Sequence, residues 1–275
     1  MDGLLNKVIA IAREAGRIML TERNVSVDTK GTKENYVTST DVKIQSFLRK
    51  ELTTILAHSE FMGEEEDLPS AGNEKIDRDA YVWVVDPIDG TANYARHIPI
   101  STVSIALVKD NESVLGVVYQ PNLDEIYYAE KGKGAFLNGE RIHVSDRKLE
   151  NCMLCTAWSC YNKKRAPLCF AVTERLYYLC EDIRRIGTAA YELCQLARGS
   201  ADLYFEINLS PWDYAGAACI VREAGGHLSS NTRILGFYAP CPVLGANTAE
   251  NAETLRKIVI EEDKKHPETE ISFNG

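Results

Sequence analysis

Tyr81-Val82-Trp83-Val84-Val85 is an unbroken aromatic and β-branched run, and it stops short in Asp86-Pro87-Ile88-Asp89-Gly90-Thr91. A run of that composition suits a buried strand, and Pro87, which has no N–H to give a central ladder, predicts its end. Chemistry is therefore expected at the carboxyl edge of a sheet. Asp86 and Asp89 stand three apart across a turn, so their carboxylates can converge on one point. Ile88 between them can add its backbone carbonyl. Such an all-oxygen set suits magnesium better than zinc. Gly90 permits close backbone approach, and Thr91 can open a helical turn whose free N–H groups would receive a phosphate.

Taken alone, Asp-x-x-Asp-Gly-Thr is also what an ordinary acidic turn looks like. An EF-hand is excluded, because the positions after Gly90 are Thr91, Ala92, Asn93 and Tyr94, with no closing glutamate. The Asp-x-Asp pattern of haloacid dehalogenase-type phosphatases is excluded by spacing. Further acids suggest that the turn is not alone. Ser59 to Met62 reads as a short strand running into Gly63-Glu64-Glu65-Glu66-Asp67. A solvated acidic loop is the plain account of that run. A parallel pairing with the Trp83 strand would instead bring Glu64 and Glu65 beside Asp86. Carboxylates that close repel one another unless a cation compensates. Asp41 and Asp213 each stand at the expected start of a helix, where capping is the plain reading and a place in the site the functional one. Lys30 is a candidate for a loop over that site.

Composition narrows the classes. A chain of 275 residues can build one large or two modest domains around a substantial core. The net charge of −9 argues against nucleic acid as the main partner. Met1 to Leu20 is amphipathic, broken by Lys7, Arg13, Glu14 and Arg17, and so resembles neither a signal peptide nor a membrane span. The expected location is the cytoplasm, with no membrane partner. The eight cysteines are expected as free thiols, Cys152 and Cys155 facing opposite sides of a strand rather than sharing zinc.

Periodicity divides the chain into two halves, 1–147 and 148–275, meeting in the charged stretch Ser145 to Asn151. The first half reads as a helix ending near Arg23, a second through Ile44 to Leu56, and then strands. Leu68 to Ala80 is a surface connection. Ser101 to Lys109, Ser113 to Tyr119 and Glu125 to Ala129 suggest an antiparallel meander, continued through Lys131 to Gly139. The second half reads as a strand from Cys152, a helix over Pro167 to Leu179 and a strand over Asp182 to Ile186. Gly187-Thr188-Ala189-Ala190 then turns into a helix. A strand over Ala201 to Ile207 carries Glu206 near its end, and a helix from Trp212 to Ala224 follows. A strand over Pro242 to Ala246 and a helix over Thr248 to Ile260 come last, with a frayed tail from Glu261.

Gly63-Glu64-Glu65, Asp86-Pro87-Ile88-Asp89-Gly90-Thr91, Gly187-Thr188-Ala189 and Trp212-Asp213-Tyr214-Ala215-Gly216 occur in that order and spacing, and with them the chain resembles the inositol monophosphatase family. The resemblance implies an α+β fold, a layered αβαβα sandwich, usually homodimeric, hydrolysing small phosphate monoesters with two or three magnesium ions and lithium-sensitive. It implies that Glu64, Asp86 and the Ile88 carbonyl hold one metal, that Asp86 is shared with a second held by Asp89 and Asp213, and that Glu65 borders a weaker third. Thr91 with Asp41 would orient and deprotonate the attacking water. Gly90 and Thr91 amides would hold phosphate, and Gly187, Thr188, Ala189 and Glu206 the alcohol. Inositol 1-phosphate is the implied substrate, with fructose 1,6-bisphosphate and an adenosine 3′,5′-bisphosphate as alternatives. A phosphatase-like binding or regulatory protein is the non-enzymatic alternative. A bisphosphate would want further basic contacts, for which Lys163, Lys164, Arg165, Arg184 and Arg185 are candidates, solvated charge being the plain alternative. The chain departs from the family at Ala92 and in the segment Gly226 to Ala246, which bears on substrate preference and dimer contacts.

Overall fold

A computed structural model describes residues 3–22, 26–29, 36–65, 77, 79–158, 162–231 and 235–267. Helix α1 (Leu4–Thr21) leads into a hairpin of β1 (Val27–Thr29) and β2 (Tyr36–Thr38), followed by α2 (Ser39–Ile55). Next come β3 (Glu60–Gly63), β4 (Val82–Asp89) and the one-turn helix α3 (Thr91–Ala95). The meander is β5 (Thr102–Lys109), β6 (Glu112–Gln120), β7 (Glu125–Glu130), β8 (Ala135–Leu137) and β9 (Glu140–Ile142). The second half holds β10 (Met153–Thr156), α4 (Ala166–Tyr177), β11 (Asp182–Arg184), α5 (Ala189–Ala197), β12 (Leu203–Leu209) and α6 (Pro211–Glu223). It ends with β13 (His227–Ser229), β14 (Cys241–Ala246) and α7 (Ala249–Asp263).

Seven strands pair in the order β3-β4-β5-β6-β7-β8-β9 and five in the order β11-β10-β12-β14-β13. The two-residue period of β4 shows how these sheets divide the core. Trp83 and Val85 pack outward with Val8, Ile44 and Leu48 of α1 and α2, while Val82 and Val84 face inward toward α5 and α6. Those two helices also cover Tyr204 and Val243 of the five-stranded sheet, and α4 and α7 close its other face over Leu154, Phe205 and Leu244. The layers are thus helix, sheet, helix, sheet, helix, an α+β sandwich. Close approach at the centre requires two glycines. A Cβ on Gly116 of β6 would lie 2.0 Å from the Gly216 carbonyl oxygen of α6.

Several expectations need correction. β4 does not end at Pro87 but runs to Asp89, because the ladder to β5 shifts there: Asp86 faces Ser104 and Asp89 faces Thr102, three steps against two. Pro87 sits inside that irregularity, where a missing N–H costs no regular ladder bond. The polar stretch after α1 holds the β1–β2 hairpin, and β13 forms in the divergent segment after Gly226 by pairing antiparallel with β14. β11 stops at Arg184, two residues short of expectation. Helix α7 continues past Ile260 to Asp263, held where Arg175 of α4 pairs with Glu261 and Glu262. Lys30, Glu66 and Asp67 and most of Leu68 to Ala80 lie outside the described residues. No helix among the described residues is long and apolar enough to cross a membrane.

Candidate active site

The parallel pairing of β3 with β4 sets Gly63 opposite Val85, and the Glu64 N–H donates to the Val85 carbonyl at 3.3 Å. Glu64 therefore comes level with Asp86, as the acidic run after a strand had suggested. Gln45 of α2 fixes this corner, its Oε1 accepting the Glu65 N–H at 2.9 Å. A side chain on Gly63 would fill the space Gln45 occupies, at 2.3 Å from that oxygen.

Asp41 and Asp213 reach the site by one device used twice. Each is the third residue of its helix, and its carboxylate reaches back to the cap amide: Thr38 N–H donates to Asp41 Oδ2 at 2.8 Å, and Ser210 N–H to Asp213 Oδ2 at 2.8 Å. The capping and functional readings of these acids are thus compatible. Capping consumes one oxygen and orients the other. Asp41 Oδ1 accepts from the Thr91 hydroxyl at 3.3 Å, while Thr91 Oγ1 also lies 3.0 Å from the Ile88 carbonyl.

Asp89 lies where β4 meets the start of α5. Its oxygens accept N–H bonds from Ala189 at 3.2 Å and Ala190 at 2.7 Å, at the start of α5, and from the Thr102 hydroxyl at 3.3 Å. The free amides at this helix start are thus taken by a carboxylate of the chain itself. Gly90, at φ +87°, packs against that turn. A Cβ there would sit 2.8 Å from Thr188 Oγ1 and 3.3 Å from the Gly187 carbonyl oxygen. Asn93 clamps the contact by donating to the carbonyls of Ile100 at 2.9 Å and Ile186 at 3.0 Å. Thr188 Oγ1 donates to the Ile100 carbonyl at 3.2 Å.

Electrostatics mark the same place. Burial raises the Asp86 carboxyl well above its ordinary range, and the negative charges of Glu64, Asp89, Asp213 and Asp41 raise it further. Burial likewise raises Asp213, with Glu64 and Asp89 adding to it. Asp89 is pushed up to about 7 by burial, against the pull of the Ala190 and Ala189 amides. Glu206, expected near the end of its strand, lies in the middle of β12, which runs on to Leu209, and is pushed up to about 8 by burial and by Glu192, although the Tyr204 hydroxyl donates to it at 2.9 Å.

Among the described residues, no three Asp, Glu, His or Cys side chains are gathered in metal-holding geometry. The donor set nonetheless fits a hard cation. Asp86, Asp89 and Asp213 are oxygen donors whose proton affinity is raised first by burial and then by the charge of Glu64, and a cation offsets both the lost solvation and the repulsion. Asp86 spends Oδ1 on the Ile88 N–H at 3.0 Å and Asp213 spends Oδ2 on Ser210. Each keeps its second oxygen.

Glu192, Asn93 and Gln45 do structural work at this site that the sequence reading did not assign. Glu192 Oε1 accepts the N–H groups of Ile186 at 2.5 Å and Gly187 at 3.2 Å, holding the turn from inside the core. A signal was present: an acid in the first turn of the otherwise apolar Ala-Ala-Tyr-Glu-Leu-Cys stretch. Asn93 and Gln45 gave none, since a single amide in a polar neighbourhood is unremarkable.

The profile of the inositol monophosphatase family matches residues 2–263. The chain is 37% identical to the Nus factor SuhB of Xylella fastidiosa, over 82% of this chain and 80% of that protein. It is 33% identical to human inositol monophosphatase 1, over 92% of each. Among solved structures it superposes on the Thermotoga maritima IMPase with a TM-score of 0.83 at 30% identity, covering 97% of this chain and 100% of that one. The Bartonella henselae extragenic suppressor protein suhB gives 0.82 at 31%, covering 94% and 98%. The chain belongs to the inositol monophosphatase family, a metal-dependent phosphatase family.

Proposed function

We propose that the chain is a magnesium-dependent phosphatase that hydrolyses inositol 1-phosphate to inositol and phosphate. The observation that carries this reading is the Thr91 hydroxyl, 3.3 Å from Asp41 Oδ1 and adjoining the repelling acids of the Asp86 turn. The names of the relatives support the choice of alcohol.

In this reading Glu64, Asp86 and the Ile88 carbonyl would hold one magnesium, Asp86, Asp89 and Asp213 would hold a second, and Glu65 would border a third. When bound, the ions offset charge on the phosphoryl oxygens and the departing alkoxide and make a bound water more acidic. The protein does the rest. Gly90 and Thr91 amides receive the phosphate. Asp41, its Oδ2 held by the Thr38 amide, keeps Oδ1 toward Thr91 Oγ1, so a water proton taken by the hydroxyl oxygen passes to a carboxylate already in place. Ala189 has given its N–H to Asp89, which leaves its methyl for the alcohol, while Gly187, Thr188 and Glu206 supply polar contacts. The assembly proposed with this reading is a cytoplasmic homodimer.

The test is phosphate release from inositol 1-phosphate and from adenosine 3′,5′-bisphosphate, with magnesium and with chelator. Magnesium-dependent release favouring inositol 1-phosphate is the expected result. Release that persists in chelator would remove the metal from the account.

A further inference from the structure

Helix α3 has five residues, none of them buried, and no side chain caps its start. A single turn of helix does not repay the cost of nucleating it, so contacts from outside must set where α3 lies. Asn93 supplies them on the side of the Gly187 turn, through the carbonyls of Ile100 and Ile186. The phosphate chemistry uses only Thr91 of this helix. Two further side chains, Tyr94 and that of the C-cap residue Arg96, reach toward the start of α2.

Tyr94 packs its ring against the core beneath α1 and α2, and its hydroxyl joins three helices. It donates to the Met19 carbonyl at 3.1 Å, one of the last four of α1, for which the helix itself supplies no N–H. It also lies 3.3 Å from Oγ1 of Thr40, the buried residue before Asp41 in the first turn of α2. Arg96 Nη2 donates to the Tyr36 hydroxyl at 3.1 Å, and its guanidinium carbon stands 5.9 Å from the centre of that ring. Tyr36 opens β2, the strand that runs into Thr38, whose amide holds Asp41 Oδ2. His97, at φ +59°, closes α3: its N–H donates to the Tyr94 carbonyl at 3.1 Å and that of Ile98 to the Asn93 carbonyl at 2.9 Å, which fixes the backbone from which Arg96 departs.

Thr91, Tyr94 and Arg96 thus meet Asp41, Thr40 and Tyr36 in turn, the two segments running in opposite directions. We infer that Tyr94 and Arg96 are positioning residues, which hold α3 in register with the start of α2 so that the Thr91 hydroxyl stays 3.3 Å from Asp41 Oδ1. That contact is already longer than an ordinary bond between a hydroxyl and a carboxylate, so a small displacement of α3 breaks it. The inference rests on the proton path through Thr91 and Asp41 and adds to it two residues that the proposed mechanism does not require.

The test is a double-mutant cycle, read as kcat and KM for inositol 1-phosphate in the magnesium-loaded enzyme. Tyr94→Phe keeps the ring and removes only the hydroxyl. It lowers kcat at least about fivefold, with KM changed by less than about twofold. In a Thr91→Ala background the same substitution changes kcat by less than about twofold, because the group it positions is gone. Arg96→Met, which replaces an exposed side chain and leaves the core intact, follows the same pattern. For either residue, an undiminished kcat, or an equal loss in both backgrounds as a merely structural role would give, overturns its assignment. If the parent enzyme cleaves no inositol 1-phosphate, the phosphatase reading fails and crystal structures of the two variants decide the inference, as they do where Thr91→Ala leaves too little activity for the cycle. Thr91 Oγ1 displaced beyond hydrogen-bond reach of Asp41 Oδ1 supports it, and the contact retained overturns it.

Discussion

Asp89 shows how one residue binds two halves of a sandwich. It closes β4, yet its partners at 2.7 and 3.2 Å are the first amides of α5, a hundred residues on. A carboxylate so placed is stabilised by the N–H groups at a helix start and still retains lone pairs for a cation. Thr91, two residues further, has a narrower role. Its side chain touches Asp41 and the Ile88 carbonyl, so in the proposed mechanism Thr91→Ala removes a proton relay without removing a carboxylate. The expected result is a kcat lower by about 10² to 10⁴ with the magnesium dependence of activity unmoved, read from magnesium titrations at saturating substrate. A shift of the magnesium midpoint as large as the loss in kcat would assign Thr91 to the metal instead.

Elements decide whether these side chains meet. Helix α6 delivers Asp213 only because Gly116 and Gly216 let it lie directly on β5 and β6, with the Ser104 hydroxyl donating to the Trp212 carbonyl at 3.3 Å. Gly116→Ala must push α6 off the sheet, since backbone rather than a flexible side chain blocks the new methyl. The cost is expected at about 1–3 kcal/mol in denaturant unfolding, with phosphate release falling alongside as Asp213 shifts. Unchanged stability would mean that the helix has room to move. At this scale the sequence was legible wherever a local pattern carried the information. Strand runs, the meander and most helices follow from periodicity, and the position of Glu64 beside Asp86 follows from two strands each ending in acids. What could not be read was set by distant contacts. β4 runs past Pro87 because of its ladder with β5, and β13 exists because β14 offers it an edge. Helix α7 lengthens because Arg175 pairs with its end. Asp41 is legible as a cap or as a residue facing the site and Asp213 as a cap or a metal ligand, and only the geometry shows that each carboxylate caps with one oxygen and turns the other away from the cap.

For the whole molecule, the crowded acids tie stability to pH and to metal. Without metal, Asp89 at about 7 and Glu192 and Glu206 at about 8 hold protons that the unfolded chain would already have released. Stability from these groups is complete below about pH 4, where both states are protonated, and is lost as pH rises through 7 to 8. The melting temperature of chelated protein should therefore fall between about pH 5 and pH 8, and magnesium should raise it more at pH 8 than at pH 5. A magnesium effect of equal size at both ends would contradict the shared-charge account of the site.

In the proposed mechanism Asp86, buried and acted on by the charges of Glu64, Asp89, Asp213 and Asp41, is the carboxylate on which the metal chemistry turns. Its most direct test is phosphate release from inositol 1-phosphate by Asp86→Asn, across a magnesium titration and beside the parent protein. Release is expected at least about a thousandfold lower, with no recovery at high magnesium, from protein whose circular dichroism is native. Undiminished magnesium-dependent release by that variant would contradict it.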